Sequence, residues 1–224
     1  MRNKLYLIPG TMCTEKLWSA LLPYLDDSCE LVYLAIPKGK GFDELAAYYH
    51  RLIADEKVNL IGFSLGGYIA SYFAMRYPER IEKLFVISNS PTCLSDAELA
   101  QRHAVLNYVT THGYQGISRK SIANLLDSQK RTKPLVDLIV EMANTLGEDE
   151  LISQYQWTSQ RIDLAKAMLA FPFYTQLFYS EHDRLIDSRW LNQLANTNSK
   201  LSIICTSGSG HMLPLEQPQK LASY

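Results

Sequence analysis

Long apolar runs are missing from this chain. No stretch approaches the roughly 18 consecutive apolar residues that cross a bilayer, so no membrane helix is expected. The opening MRNKLYLIPGTMC carries early charge but only a short apolar run, stopped at Pro9-Gly10. It reads as a buried first strand rather than a secretory signal, and the expected setting is cytoplasmic. An excess of one charge sign is also missing. The 22 Lys and Arg against 23 Asp and Glu leave a formal net charge of -1, which gives no support to a general nucleic-acid binder. The local basic runs are Arg119-Lys120 and Lys130-Arg131-Thr132-Lys133, read either as solvated faces or as contacts for an anionic substrate handle. Cysteine is sparse and scattered: Cys13, Cys29, Cys93 and Cys205 form no C-x-x-C pair, and no His joins them at zinc spacing. They read as reduced core or loop residues, and no structural metal is expected.

What is present fits a folded α/β protein. The chain has 224 residues, 47% apolar and 20% charged, with 14 Tyr, 7 Phe and 3 Trp, enough to bury one large domain core. Strands are expected at Leu5–Pro9, Leu31–Ala35, Val58–Phe63, Leu84–Ile87, Tyr174–Tyr179 and Leu201–Cys205. They show little apolar-polar alternation, as in a parallel sheet covered on both faces. Helices are expected between them at Glu15–Leu25, Asp43–Asp55, Leu65–Tyr77 and Asp187–Ala195, with a last one at Glu216–Tyr224. Residues 91–172 contain no convincing strand. Ser95-Asp96-Ala97-Glu98 has capping-box spacing and opens a helix toward Thr110. Further helices are expected at Ser118–Leu126, Pro134–Leu146 and Glu148–Ala170, with Gly147 as a break. The organisation is a core of residues 1–90 and 173–224 with a helical cap, 91–172, inserted into it.

The strongest local signal is Gly62-Phe63-Ser64-Leu65-Gly66-Gly67, a G-x-S-x-G run that follows an apolar strand and opens a helix. That is the setting of a nucleophile elbow. The tight turn needs small residues at Gly62 and Gly66, and the first N–H groups of the helix favour developing negative charge. The plain alternative is a glycine-bearing βα turn with Ser64 as a helix cap. The run lacks dinucleotide spacing and any Gly-Lys-Ser/Thr ending.

A serine nucleophile needs a base at neutral pH. Among His50, His103, His112, His182 and His211, the last lies in Ser207-Gly208-Ser209-Gly210-His211, directly after a late strand and so at the same sheet edge as Ser64. His50 falls inside a helix, His103 and His112 in the insertion, and His182 beside Asp183. The orienting carboxylate is assigned to Asp183, in the loop after Tyr174–Tyr179. Asp187 is the main rival, although it also makes a good N-cap, and Glu181 is a further one.

Read in this order, the elbow, the acid loop Glu181-His182-Asp183-Arg184-Leu185-Ile186 and the segment Gly210-His211-Met212-Leu213-Pro214 make the chain resemble the α/β-hydrolase superfamily. Within it the chain is most similar to small cap-bearing serine esterases of the pimeloyl-ester hydrolase and carboxylesterase group. The resemblance covers nearly the whole chain and is weakest in the insertion. It implies that the backbone N–H groups of Thr11 and Leu65 form the oxyanion hole, with Met12 the nearest alternative, and that Trp18 packs. The usual His-Gly of the oxyanion loop stands here as Pro9-Gly10. It also implies an α/β-hydrolase fold with about six strands, its early hairpin absent or reduced.

The expected activity is hydrolysis of a small-molecule ester or acyl substrate, free or carrier-linked, with Ser64, Asp183 and His211 catalytic and no cofactor or metal. The same scaffold also serves thioesterases, amidases, C–C hydrolases and lyases. A non-enzymatic ligand-binding protein is the remaining alternative, and the presence of all three catalytic residue types argues against it. Leu99, Val105, Leu106, Tyr108, Val109, Leu125, Leu126, Leu138, Ile139 and Met142 offer apolar cap surface, which favours a partly apolar acyl group of short or medium length. No nucleic-acid or membrane partner is expected, and the sequence carries no signature of oligomeric state.

Overall fold

The computed structural model describes residues 3–195 and 197–224. Its spine is a six-stranded sheet built from β1 (Asn3–Ile8), β2 (Cys29–Tyr33), β3 (Val58–Phe63), β4 (Ile81–Ile87), β5 (Tyr174–Ser180) and β6 (Leu201–Thr206). The order is β2-β1-β3-β4-β5-β6, and every neighbouring pair is parallel. The strands lack alternation because both faces are covered. Successive side chains point to opposite sides, so one strand feeds two apolar layers. Tyr6, Ile8, Leu60, Leu84, Val86 and Leu177 pack under α1 (Phe42–Leu52), α2 (Leu65–Arg76), α6 (Ala165–Leu169) and α7 (Ser188–Leu194). Leu7, Phe63, Ile87 and Phe178 pack on the other side, with Leu17, Trp18 and Leu21 of the segment Glu15–Tyr24 and Leu221 near the end of the chain.

The helical insertion lies between β4 and β5 and comprises α3 (Asp96–His112), α4 (Arg119–Ala123) and α5 (Lys133–Trp157). The capping box forms as read: Ser95 Oγ accepts the Glu98 N–H, and Glu98 Oε2 accepts the Ser95 N–H. A cluster of Met12, Val109, Ala143 and Leu151 packs α3 and α5 onto the loop after β1.

Three expected helices differ in the structure. Glu15–Tyr24 is a 3-10 helix with Pro23 inside it, and proline cannot supply an N–H to an α-helical ladder. The helix read at Glu148–Ala170 begins after the expected break at Gly147 (φ 76, ψ -167), where two helical stretches of α5 meet at a kink, but it stops at Trp157. Beyond it Tyr68 draws the chain off course: its hydroxyl accepts the Ile162 N–H at 2.8 Å and donates to the Ile162 carbonyl at 2.9 Å. The last helix is two short pieces, α8 (Leu213–Glu216) and α9 (Pro218–Leu221), broken where Gln217 precedes Pro218. A cavity of about 590 Å³ lies against this face of the sheet, lined by Leu5, Leu31, Ile61, Phe85 and Tyr224 among others.

Candidate active site

The site forms at the carboxyl edge of the sheet. β3 ends at Phe63 and α2 begins at Leu65, so one residue makes the turn. That residue, Ser64, has φ 50 and ψ -117, a positive-φ conformation outside the left-handed helical well that costs an L-residue about 1–3 kcal/mol. Flanking glycines make it tolerable. A Cβ on Gly62 would strike the backbone of Gly66 and Gly67, and a Cβ on Gly66 would strike the carbonyls of Ile8 and Pro9. The Ser64 N–H donates to the Ile87 carbonyl at 2.8 Å, tying the elbow to β4.

His211 arrives from the loop after β6. Its Nε2 is 3.0 Å from Ser64 Oγ, and its Nδ1 is 2.7 Å from Asp183 Oδ2. With Nδ1–H donated to the carboxylate, Nε2 is left as the acceptor facing the serine hydroxyl. Both partners are buried, at 5% exposure for His211 and 7% for Asp183, so the pair is shielded from competing water. Backbone bonds fix the histidine. Its N–H donates to the Leu125 carbonyl of the insertion, and its carbonyl accepts from Ser88 Oγ, both at 2.8 Å. Ser180 Oγ holds the adjacent Gly210 carbonyl at 2.6 Å. Asp183 Oδ1 accepts the Leu185 N–H at 3.0 Å, which sets the carboxylate plane.

The loop after β1 brings Gly10 against the elbow: a Cβ there would lie 3.2 Å from that of Ser64. The turn Gly10–Cys13 is closed by the Cys13 N–H on the Gly10 carbonyl at 3.1 Å, with Met12 at φ 55. The Met12 N–H is already committed: it donates to Gln154 Oε1 of α5 at 2.9 Å. The N–H groups of Thr11 and Leu65 find no acceptor in the loops, turns or side chains of the described residues. Gln154 Nε2 in turn donates to Glu150 Oε1 at 2.7 Å, and burial raises the Glu150 carboxyl above its ordinary range. Nothing in the sequence marked Gln154, because its partner lies 142 residues away. Ser88 and Ser180 were equally unmarked.

The rival residues lie elsewhere. Asp187 caps α7, accepting the N–H groups of Arg189 and Trp190, both at 3.0 Å. Glu181 and His182 are exposed. His50 stacks on Tyr77, and His112 stacks on Tyr108. His103 is exposed on α3. Trp18 is buried in the core. Burial pushes the Cys13 thiol up to about 12, so it lines the loop as an unreactive group. Arg119 and Lys133 both pair with Asp137, and Lys130 donates to the Glu216 carbonyl at 2.7 Å. Of the apolar cap candidates, Val109, Leu126, Ile139 and Met142 are buried in packed clusters, whereas Leu99, Val105, Leu106, Leu125 and Leu138 are half-buried and Tyr108 is exposed. Among the described residues no helix is long and apolar enough to cross a membrane.

A parallel sheet, a strained serine between strand and helix and a Ser–His–Asp hydrogen-bond line together define a hydrolase scaffold. Residues 41–218 match the alpha/beta hydrolase fold family, and the chain belongs to that family. Among curated proteins it is similar to the biotin biosynthesis bifunctional protein BioHC of Teredinibacter turnerae, with 32% identity over 114 residues, 44% of this chain and 20% of that protein. It is also similar to pimeloyl-[acyl-carrier protein] methyl ester esterases. The Legionella pneumophila (strain Corby) protein is 27% identical over 42% of this chain and 41% of its own length. The Aeromonas hydrophila protein is 28% identical over 70% of this chain and 61% of its own length. The matches thus span less than two thirds of these relatives. A thermophilic esterase from Thermogutta terrifontis superposes with a TM-score of 0.82 at 21% identity, covering 99% of this chain and 87% of that one. The enol-lactonase of Burkholderia xenovorans superposes with a TM-score of 0.84 at 14% identity, covering 100% and 89%. These likenesses establish the shared fold.

Proposed function

We propose that the protein is a serine hydrolase that cleaves carboxylic esters of small or medium acyl groups. Ser64 is the nucleophile, His211 the general base and acid, and Asp183 the orienting carboxylate. The Thr11 and Leu65 N–H groups receive the oxyanion. The observation that carries this reading is the line from Ser64 Oγ through His211 to Asp183, at 3.0 and 2.7 Å, starting from a serine held at φ 50. In the reaction Ser64 Oγ attacks the ester carbonyl as His211 Nε2 takes its proton. The tetrahedral oxyanion is held by backbone N–H groups, and the alkoxide departs with the proton returned from His211. Water, deprotonated by the same nitrogen, then attacks the acyl-enzyme and frees the acid and Ser64. No metal or organic cofactor enters these steps.

The ester-cleaving names of the curated relatives support an ester over an amide, and leave an acyl group on a small alcohol or on a carrier within the same reading. In this division of labour residues 1–90 and 173–224 carry the chemistry, and the cap, 91–172, selects the acyl chain. Four free cysteines fit a cytoplasmic setting. The test is a panel of soluble p-nitrophenyl esters of graded chain length. Each methylene buried is worth about 0.8 kcal/mol, enough for a clear preference. Turnover is expected on short and medium chains and its loss in Ser64→Ala. A folded Ser64→Ala protein with full activity, or activity confined to emulsified long-chain triglycerides, would overturn the assignment.

A further inference from the structure

Arg102 of α3 and Arg161 of the irregular segment after α5 meet where the insertion crosses the nucleophile helix. The Arg102 guanidinium lies 4.9 Å from the Tyr155 ring centroid, and that of Arg161 lies 4.8 Å from the Tyr68 centroid. Tyr68 follows Ser64 by one helical turn, about 6 Å along the axis, so the Arg161 head stacks on a side chain of the turn next to the nucleophile. The segment is pinned there. Tyr68 bonds both the N–H and the carbonyl of Ile162, the Leu164 N–H donates to the Pro91 carbonyl at 3.0 Å, and Asp163 accepts Trp190 Nε1–H at 2.9 Å.

Both arginines are half-buried, and each guanidinium carries five N–H donors. Arg102 engages only Nη1, with the Thr158 carbonyl, Thr158 Oγ1 and Ser159 Oγ at 3.3 to 3.4 Å. Arg161 engages only Nε, with the Thr158 carbonyl at 3.2 Å. No carboxylate forms an ion pair with either among the described residues. Glu98 acts on both from a distance, but its carboxylate is held by Ser95. The unused donors are not sealed away from the exterior. Burial and the neighbouring Arg102 charge lower Arg161 to about 9, which leaves it cationic at neutral pH. Two like charges, partly desolvated and without a counter-ion, are unfavourable as a purely structural device. An incoming anion relieves that cost, and the planar forks suit a carboxylate.

We propose that Arg102 and Arg161 form an anion subsite for the carboxylate at the far end of the acyl substrate, so that half-esters of dicarboxylic acids are preferred over neutral esters of equal length. The ester part of this proposal rests on the serine-hydrolase reading, and the acid part rests on the arginines. The basic runs expected to contact an anionic handle are a different surface, since Arg119 and Lys133 are paired with Asp137.

The experiment compares kcat/KM for monomethyl half-esters from succinate to suberate with neutral methyl esters of matched length, in wild type, Arg102→Gln, Arg161→Gln and Arg161→Lys. The expected result is a wild-type preference for the acid at one chain length. Each Gln variant should lose about tenfold more on the acid ester than on the neutral one, mainly in KM, with Arg161→Lys intermediate. Adipate binding to the folded Ser64→Ala protein, followed by calorimetry, should weaken by a similar factor when either Gln change is added. Equal losses on acid and neutral esters, no wild-type preference, or unchanged adipate binding would overturn the subsite. Turnover of neutral esters and phosphonate labelling report on the hydrolase reading separately, so an inactive, unlabelled wild type that still binds adipate through these arginines would reject that reading alone.

Discussion

Asp183 and Asp187 lie four residues apart in one loop, and their surroundings give them different work. Asp183 Oδ2 meets the buried His211 ring, whereas Asp187 terminates α7. Asp183→Asn should therefore keep its fold and lose about 10³–10⁴ in kcat, because the imidazole loses its tautomer and its charge partner. Asp187→Ala should cost about 1 kcal/mol of stability and leave turnover intact. Ester kinetics and thermal melts on the two variants separate these roles, and the opposite pattern would move the acid to Asp187. Glu216 offers a second test. Burial is the largest influence and raises its carboxyl; the Asp127 and Met212 N–H groups oppose it, the Asp127 charge adds to it and His211 opposes it, while Oε2 has no partner. A carboxyl raised on folding binds its proton more tightly in the native state. Stability therefore falls as pH climbs from the ordinary carboxyl value through the raised one, and the deficit then stays constant. Glu216→Gln keeps an acceptor for the Asp127 N–H and removes the charge. Its melting temperature should exceed wild type at pH 8, with the gap closing as pH falls through the raised value and gone below about 4.5. A gap that widens in acid would contradict this assignment.

At the scale of elements, the sequence revealed those whose signal is local. Val58–Phe63 is legible to the residue because a largely apolar run ends at a glycine-flanked serine, and the Ser95 capping box lies within four residues. The triad was readable for the same reason: each member sits just beyond a recognisable strand. What escaped notice depends on distant partners. The end of α5 at Trp157 and the irregular stretch beyond it follow from Tyr68 binding Ile162, a separation of 94 residues. The link from Gln154 to Met12 is of the same kind, and it decides which N–H groups of the loop after β1 remain unengaged. Gln154→Leu should leave a buried N–H unsatisfied at a cost of about 1–3 kcal/mol. It should also lower kcat more than it raises KM, because the loop holding Thr11 loses its anchor. Loss of stability with unchanged kcat would make Gln154 purely structural.

For the whole molecule, the sheet edge gathers three side chains from three βα turns, and the insertion reaches them through the Leu125 carbonyl on the His211 N–H and through Gln154 on the Met12 N–H. The proposed function requires this assembly to activate one serine. Incubation with a fluorophosphonate followed by intact mass and peptide mapping tests it most directly. A single phosphonyl adduct is expected on the peptide containing Ser64, absent in Ser64→Ala and strongly slowed in His211→Ala. No adduct on the folded wild-type protein, or an adduct on another serine that persists in Ser64→Ala, would contradict it.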